Sequence, residues 1–374
     1  MSLSTFLAKL QKSVSAQIRA FLLLVCMAGL TACTTVDGIG GFSGGNRASL
    51  PVPVKLVSAM KSKRMRISDP VMIRIYKQES ELEVWKRTAS GKFALLKTWP
   101  MCRWSGQLGP KKTEGDRQAP EGFYHVTKGM LNPASDYFLS FNLGFPNVYD
   151  RAHNRTGTAL MVHGACTSSG CFALTNDGVG EIYAIVRDAL DAGQESVQVQ
   201  SFPFRMTPQN MAINRSDPNM DFWRNLEEGA DHFEATRQPP KVAVCGRRYV
   251  FNAAFADGAA VSADATCPPV TNVLAFASAW EGVHRIHEQK FAALASANSP
   301  STVLRFADGG MHPSFQSVLR NKGAEVLQKR TSGASAPVSR PKEALLPPKR
   351  VELTEASDLN TGCSSEASSS APCK

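Results

Sequence analysis

The chain has 374 residues, 43% of them hydrophobic and 20% charged, with a formal net charge of +10. That length buries one sizeable core and a smaller one. The basic balance suits a polyanionic partner such as cell wall or anionic lipid, or reflects cations scattered over solvated faces and the tail; with no recognisable nucleic-acid module in an exported chain, nucleic acid is excluded as the partner.

The export reading rests on the N-terminus. Lys9, Lys12 and Arg19 precede an apolar run from Ala20 to Leu30, too short for a comfortable transmembrane helix. It ends at Leu30-Thr31-Ala32-Cys33, which resembles a bacterial lipobox. That resemblance implies a signal peptide over 1–32, cleavage before Cys33 and lipidation of Cys33. An ordinary signal peptide cut nearby, or a retained anchor, is the alternative. Thr34 follows the cysteine instead of Asp, so an outer-membrane lipoprotein on the periplasmic face is expected. Residues 33–66 then read as lipid anchor and tether, with a short amphipathic helix over Pro53–Met65.

Residues 67–206 read as a mainly β domain. Val71–Tyr76 and Glu81–Lys86 flank a polar turn and predict a hairpin, and Phe93–Cys102 is a third strand. Residues 105–122 are rich in Gly, Pro and Lys and form a long loop that feeds the strand Phe123–Thr127. Phe138–Leu143 alternates as a strand, and Asn147–Arg155 is a polar loop. Ala159–Val162 delivers His163. Ile182, Ile185, Val186 and Leu190 recur at helical spacing over Asp177–Ala192, and Ser196–Ser201 alternates as a strand. Thr207–Thr236 reads as one helix with Phe222, Trp223, Leu226 and Phe233 on the core and Glu227–Glu234 facing solvent. Val242–Phe251 reads as a strand pair. The helix Val273–Ala297 carries His284 and His287, a pair that lacks a third metal ligand and reads as a solvated face. Residues 207–300 are thus a helical extension with a small appended segment. Residues 301–374 have few large apolar side chains and read as a largely disordered tail.

The chemistry concentrates in Leu160–Leu174, an apolar run into His163-Gly164, a Ser-rich loop, and Ser168-Ser169-Gly170-Cys171. A thiolate is a good nucleophile when an imidazole or a helix N-terminus activates it. Gly164 leaves its carbonyl free to orient the imidazole. Gly170 permits a sharp turn that bares N–H groups for an oxyanion, with the N–H of Cys171 beside it. A small buried Cys and a satisfied polar His are the bland alternative. A metal at His163, Cys166 and Cys171 is a third reading, without an evident fourth ligand.

This stretch resembles the active site of the YkuD-type L,D-transpeptidases, and in particular the YafK branch, where the two halves of the motif are compressed into one loop. Lys77–Trp85, Leu108–Tyr124, Leu139–Thr158 and Phe202–Met206 resemble that branch too. The resemblance implies a β-sandwich or open-barrel catalytic domain plus the C-terminal helical extension. It makes Cys171 the nucleophile and His163 the base, oriented by the carbonyl of Gly164, with Gly170 and Cys171 lining the oxyanion hole. Ser168, Ser169, Tyr149 and Arg155 fall where the family meets substrate. No metal and no organic cofactor are implied.

The resemblance further implies attack on the diaminopimelate carbonyl of peptidoglycan stem peptides through a thioester. An amine acceptor gives transpeptidation. Water gives a hydrolase that trims stems or releases a wall-attached lipoprotein. A wall-binding lipoprotein without catalysis is the remaining reading. Two departures stand out: Ser169 replaces a common His or Arg, and Phe172-Ala173 replace an apolar residue followed by the Arg thought to bind the substrate carboxylate. Of nine cysteines, removing Cys26 and Cys33 leaves seven, an odd number that suits one free nucleophile. The expected pairing is Cys102–Cys166, Cys245–Cys267 and Cys363–Cys373, the first keeping Cys166 away from Cys171.

Overall fold

The computed structural model describes residues 47–256, 261–273, 277–297, 302–333 and 336–352. The expected signal peptide, Cys33, most of the tether and the Cys363–Cys373 pair lie outside the described residues. Among the described residues no helix is long and apolar enough to cross a membrane.

Two five-stranded mixed sheets form the body. The first runs β3 (Phe93–Pro100), β2 (Glu81–Arg87), β1 (Val71–Tyr76), β10 (Val197–Phe202) and β5 (Gly122–Val126), with β1 and β10 parallel and the other pairs antiparallel. The second runs β4 (Arg103–Trp104), β9 (Phe172–Ala173), β8 (Met161–His163), β7 (Ser140–Asn142) and β6 (Leu131–Asn132), with β8 and β9 parallel. β1 and β10 are buried on both faces; β1 is an apolar run broken by Arg74, whereas β10 alternates and buries Gln198 and Gln200 as well as its apolar side chains. Helix α1 (Val54–Ser62) precedes the sheets and helix α2 (Asn176–Asp191) links β9 to β10. Thr175 caps α2 by accepting from the N–H of Gly178, and Val179, Ile182, Ile185, Val186 and Ala189 turn its apolar face into the core. Phe141, Val162 and Phe172 of one sheet share that core with Ile73, Ile75, Val199 and Phe202 of the other. This is the mainly β architecture with packed helices that the sequence implied.

A fully buried ion pair fixes the 105–122 loop. Lys77 Nζ lies 2.8 Å from Glu121 Oε1, both side chains 0% exposed. The ammonium also donates to the carbonyls of Gly109 and Ala119, and Trp223 Nε1 donates to the other Glu121 oxygen. Every donor of Lys77 is therefore used, the condition under which a buried pair is tolerated.

Three expectations are corrected. The helix over Thr207–Thr236 is two: Pro208–Ile213, and α3 (Met220–Thr236), parted where Pro218 cannot continue a helix and Asp217 instead accepts from the N–H of Asn219. The acidic stretch Glu227–Glu234 does not face solvent throughout, because α4 (Ala277–Ala297) covers Glu227 and Asp231. His284 and His287 of α4 both turn Nδ1 to Asp231, at 3.2 and 2.7 Å, so they are not a solvated pair.

The tail expected to be disordered is folded over residues 302–333 and 336–352. Strands Thr302–Arg305 and Lys349–Glu352 pair antiparallel, and helix α5 (Pro313–Thr331) lies between them in sequence. Met311, Leu319, Leu327 and Val338 pack on the Cys102–Cys166 disulfide, and Phe306 meets Trp104 edge-on at 5.1 Å. Its few apolar side chains suffice because they complete a core that the sheets have already begun. The second disulfide joins Cys245 to Cys267.

Candidate active site

The register Val162 to Phe172 and His163 to Ala173 makes the loop 164–171 a bridge between two neighbouring parallel strands. So short a connection needs glycine at both ends. A Cβ on Gly164 would sit 2.6 Å from Asn176 Oδ1 and 2.8 Å from the carbonyl of Tyr137. Gly170 has φ +112°, and a Cβ there would press on Leu160 at 3.0 Å. Asn176, in the first turn of α2, accepts from the N–H of Ala165 and ties the loop to the helix.

His163 is 2% exposed. Its Nδ1 faces the Gly164 carbonyl, which can only accept, so Nδ1 carries the proton and Nε2 keeps its lone pair. Burial pushes the imidazole pKa down to about 4 against the opposing pull of that carbonyl. The Tyr137 ring lies over it, centroids 4.7 Å apart. Cys171 is half-buried and is the free cysteine among the described residues. Its Sγ is 3.6 Å from the Ala159 carbonyl. Burial raises its pKa, while the Met161 N–H and the Lys111 ammonium pull the other way. No hydrogen bond joins Sγ to the imidazole in this structure. His163 lies two residues along β8 from Met161, whose N–H faces the thiol. The resting pair is thus neutral thiol and neutral imidazole.

Gly170 does not supply an oxyanion donor, because its N–H donates to Ser105 Oγ at 2.7 Å. Among the described residues the N–H groups of Ser169 and Cys171 carry no hydrogen bond. Ser168 is scaffold: buried, its Oγ donates to the Cys171 carbonyl at 2.7 Å and its N–H donates to Ser339 Oγ at 3.0 Å. Ser169 is exposed, with Arg117 Nη1 3.2 Å from its hydroxyl. Tyr149 and Arg155 do not offer themselves to substrate. Tyr149 is stacked between His153 and Tyr249, each at 4.2 Å, and the Arg155 guanidinium is spent on buried Asp150 at 2.8 Å. Cys166 is bonded to Cys102 and cannot ligate a metal beside Cys171.

Sequence reasoning missed the residues that surround this loop. Ser105, Lys111 and Arg117 come from a segment read only as a long loop, and Asp308 and Ser339 from the expected disordered tail. Among the described residues Arg117 is the one cation hydrogen-bonded to the Ser168-Ser169 turn. The only sequence signal was that Leu108–Tyr124 belonged to the resembling stretches.

Comparison with known proteins bears on the same region. Residues 65–199 match the YkuD family, the L,D-transpeptidase catalytic domain. Over 235 residues the chain is 41% identical to YafK of Escherichia coli strain K12, named provisionally as an L,D-transpeptidase; the match spans 63% of this chain and 89% of that protein. Among solved structures, the helical cell-shape-determining protein Pgp2 from Campylobacter jejuni matches with 15% identity and a TM-score of 0.31, over 67% of this chain and 80% of that one.

Proposed function

Because the chain belongs to the YkuD-type L,D-transpeptidase family, whose members act on peptidoglycan stem peptides, we propose that it is a cysteine acyltransferase working at the diaminopimelate carbonyl of those stems. The observation that carries the reading is a neutral buried imidazole at the end of β8 and a free thiol on the residue that enters the parallel strand β9, with an unbonded N–H on the cysteine itself.

As the Cys171 Sγ attacks the carbonyl, its proton passes to Nε2 of His163. The Gly164 carbonyl holds the Nδ1 proton and stabilises the imidazolium as it forms. The Cys171 N–H meets the developing oxyanion. The imidazolium then protonates the departing amine, leaving a thioester. An acceptor amine, from another stem or a lipoprotein lysine, resolves the thioester by transpeptidation. Water resolves it by hydrolysis, and the Phe172-Ala173 pair in place of the family's carboxylate-binding Arg makes that outcome a serious rival to transpeptidation. The lipobox-like Leu30–Cys33 places the enzyme, in this reading, on the periplasmic face of the outer membrane, anchored through Cys33.

Incubating the protein and its Cys171→Ala variant with sacculi and muropeptides, followed by mass spectrometry, tests this. New diaminopimelate–diaminopimelate or amine-exchanged species, absent with the variant, mean transpeptidation. Cys171-dependent gain of water, with loss of a terminal residue, a cross-link or a bound lipoprotein, means hydrolysis. No Cys171-dependent change leaves a binding protein.

A further inference from the structure

The loop 164–171 is held from outside by two residues far along the chain. Ser339 accepts from the N–H of Ser168 at 3.0 Å and donates its own N–H to the Cys166 carbonyl at 3.1 Å. Asp308 is 4% exposed and reaches the loop through an intermediary. Its Oδ2 accepts from Arg117 Nη2 at 2.9 Å, and the same Nη2 donates to the Ser168 carbonyl at 3.1 Å, while Nη1 lies 3.2 Å from Ser169 Oγ. Oδ2 also takes Arg103 Nη2 at 3.1 Å, and Oδ1 accepts from the Gly106 N–H at 3.2 Å, next to the Ser105 that binds the N–H of Gly170. Arg103 is fully buried and returns to Ser339, donating from Nε to its carbonyl at 3.0 Å. Arg340 Nε stands 3.7 Å off the same carboxylate.

The consequence is a division of the loop's backbone. The N–H groups of Ser168 and Gly170 and the carbonyls of Cys166 and Ser168 are bonded to residues outside the loop, and the Cys171 carbonyl to Ser168 Oγ within it. The N–H groups of Ser169 and Cys171 are not. A loop free to relax would turn inward and satisfy them locally, since an unpaired N–H costs free energy. The clamp prevents that, and an oxyanion hole depends on donors fixed before charge develops.

We infer that the segments 302–333 and 336–352 form an intramolecular clamp on the active-site loop, in which Asp308 is a positioning residue acting through Arg117, and Ser339 a second one acting on Ser168. This rests on the acyltransfer reading above for its effect on rate, but the clamp itself can be measured without turnover.

The test uses the full chain with Asp308→Asn, Asp308→Glu, Ser339→Ala and Arg117→Met. Three quantities are compared: kcat and KM on the muropeptide substrate, the rate of Cys171 alkylation by iodoacetamide, and hydrogen exchange of a peptide spanning 164–174. Alkylation needs the thiolate but no oxyanion donor. Loss of a whole oxyanion donor costs roughly 10²–10³ in kcat, so a loosened one is expected to cost about tenfold in Ser339→Ala and more in Asp308→Asn. KM and alkylation should stay within about twofold, exchange should quicken, and Asp308→Glu should recover most of kcat. Unchanged kcat and exchange in folded variants overturn the inference. Parallel loss of kcat and alkylation overturns it too, because that marks general collapse around the thiol. If Asp308→Asn fails to fold, with Arg103 left buried and unpaired, Ser339→Ala and Arg117→Met decide alone. A wild-type protein that turns over no muropeptide refutes the acyltransfer reading instead; the exchange rates then decide the clamp.

Discussion

Two histidines in this molecule are pushed in opposite directions, and the contrast separates a reactive site from a fastening. His163 is buried, with the Gly164 carbonyl at its Nδ1 and, among the described residues, no carboxylate paired with it, and its pKa drops to about 4. His287 is part-buried against Asp231, which raises its pKa, and Asp231 also receives His284. Burial without a counter-charge gives a neutral imidazole able to accept a proton at neutral pH. Burial beside a carboxylate favours the protonated form and joins one helix to another. The neighbourhood, not the residue type, assigns the role.

The largest effect should come from removing the first of the pair. His163→Gln is expected to lower kcat/KM by roughly 10²–10⁴, the usual worth of a positioned base. Its counterpart His287→Gln should leave kcat/KM unchanged, and equal losses in both would erase the contrast. With a neutral thiol at rest, wild-type rates should climb as pH rises above 7 toward the raised thiol pKa, and show no step near pH 6.5 from His163.

Stability should divide the two histidines by pH as well. A folded pKa near 4 against an unfolded value near 6.5 means that His163 contributes stability above pH 6.5 and loses it as pH falls through 4. The shift corresponds to about 3 kcal/mol. Chemical denaturation of His163→Gln should lack that acid-side loss. For His287 the sign is reversed: its contribution is full below the unfolded pKa and fades as pH rises through the raised folded value. Glu227 adds to this, since burial and Asp231 raise its pKa to about 7 and make its ionised form unfavourable above that. Denaturation of His287→Gln at pH 6 and pH 8 should differ less than wild type does, by under about 1 kcal/mol, as befits a partly solvated pair.

The parts of the site legible in the sequence are those with short-range logic. The stretch from His163 to Cys171 announces itself because glycines flank a loop between two strands. The odd cysteine count pointed to a free thiol, and the structure pairs Cys102 with Cys166 and Cys245 with Cys267. What was hidden is long-range or pairwise. Arg155 looked available because it is charged and sits in a polar loop, but Asp150, five residues away, had already claimed it. Gly170 looked like an oxyanion donor until Ser105, 65 residues earlier, took its N–H. Glu227 and Asp231 looked solvated until α4 arrived with two histidines. The tail misled for a thermodynamic reason: a segment poor in large apolar residues cannot build a core alone, yet Met311, Leu319 and Leu327 close one that Cys102 and Cys166 leave open.

Arg117 and Asp308 are 191 residues apart, and Ser168 and Ser339 171 apart. Under the clamp proposal, a chain cut short before Asp308 keeps Cys171, His163 and an ordinary rate of alkylation but loses the contacts that set the loop, so such a truncation is expected to lower turnover without silencing the thiol.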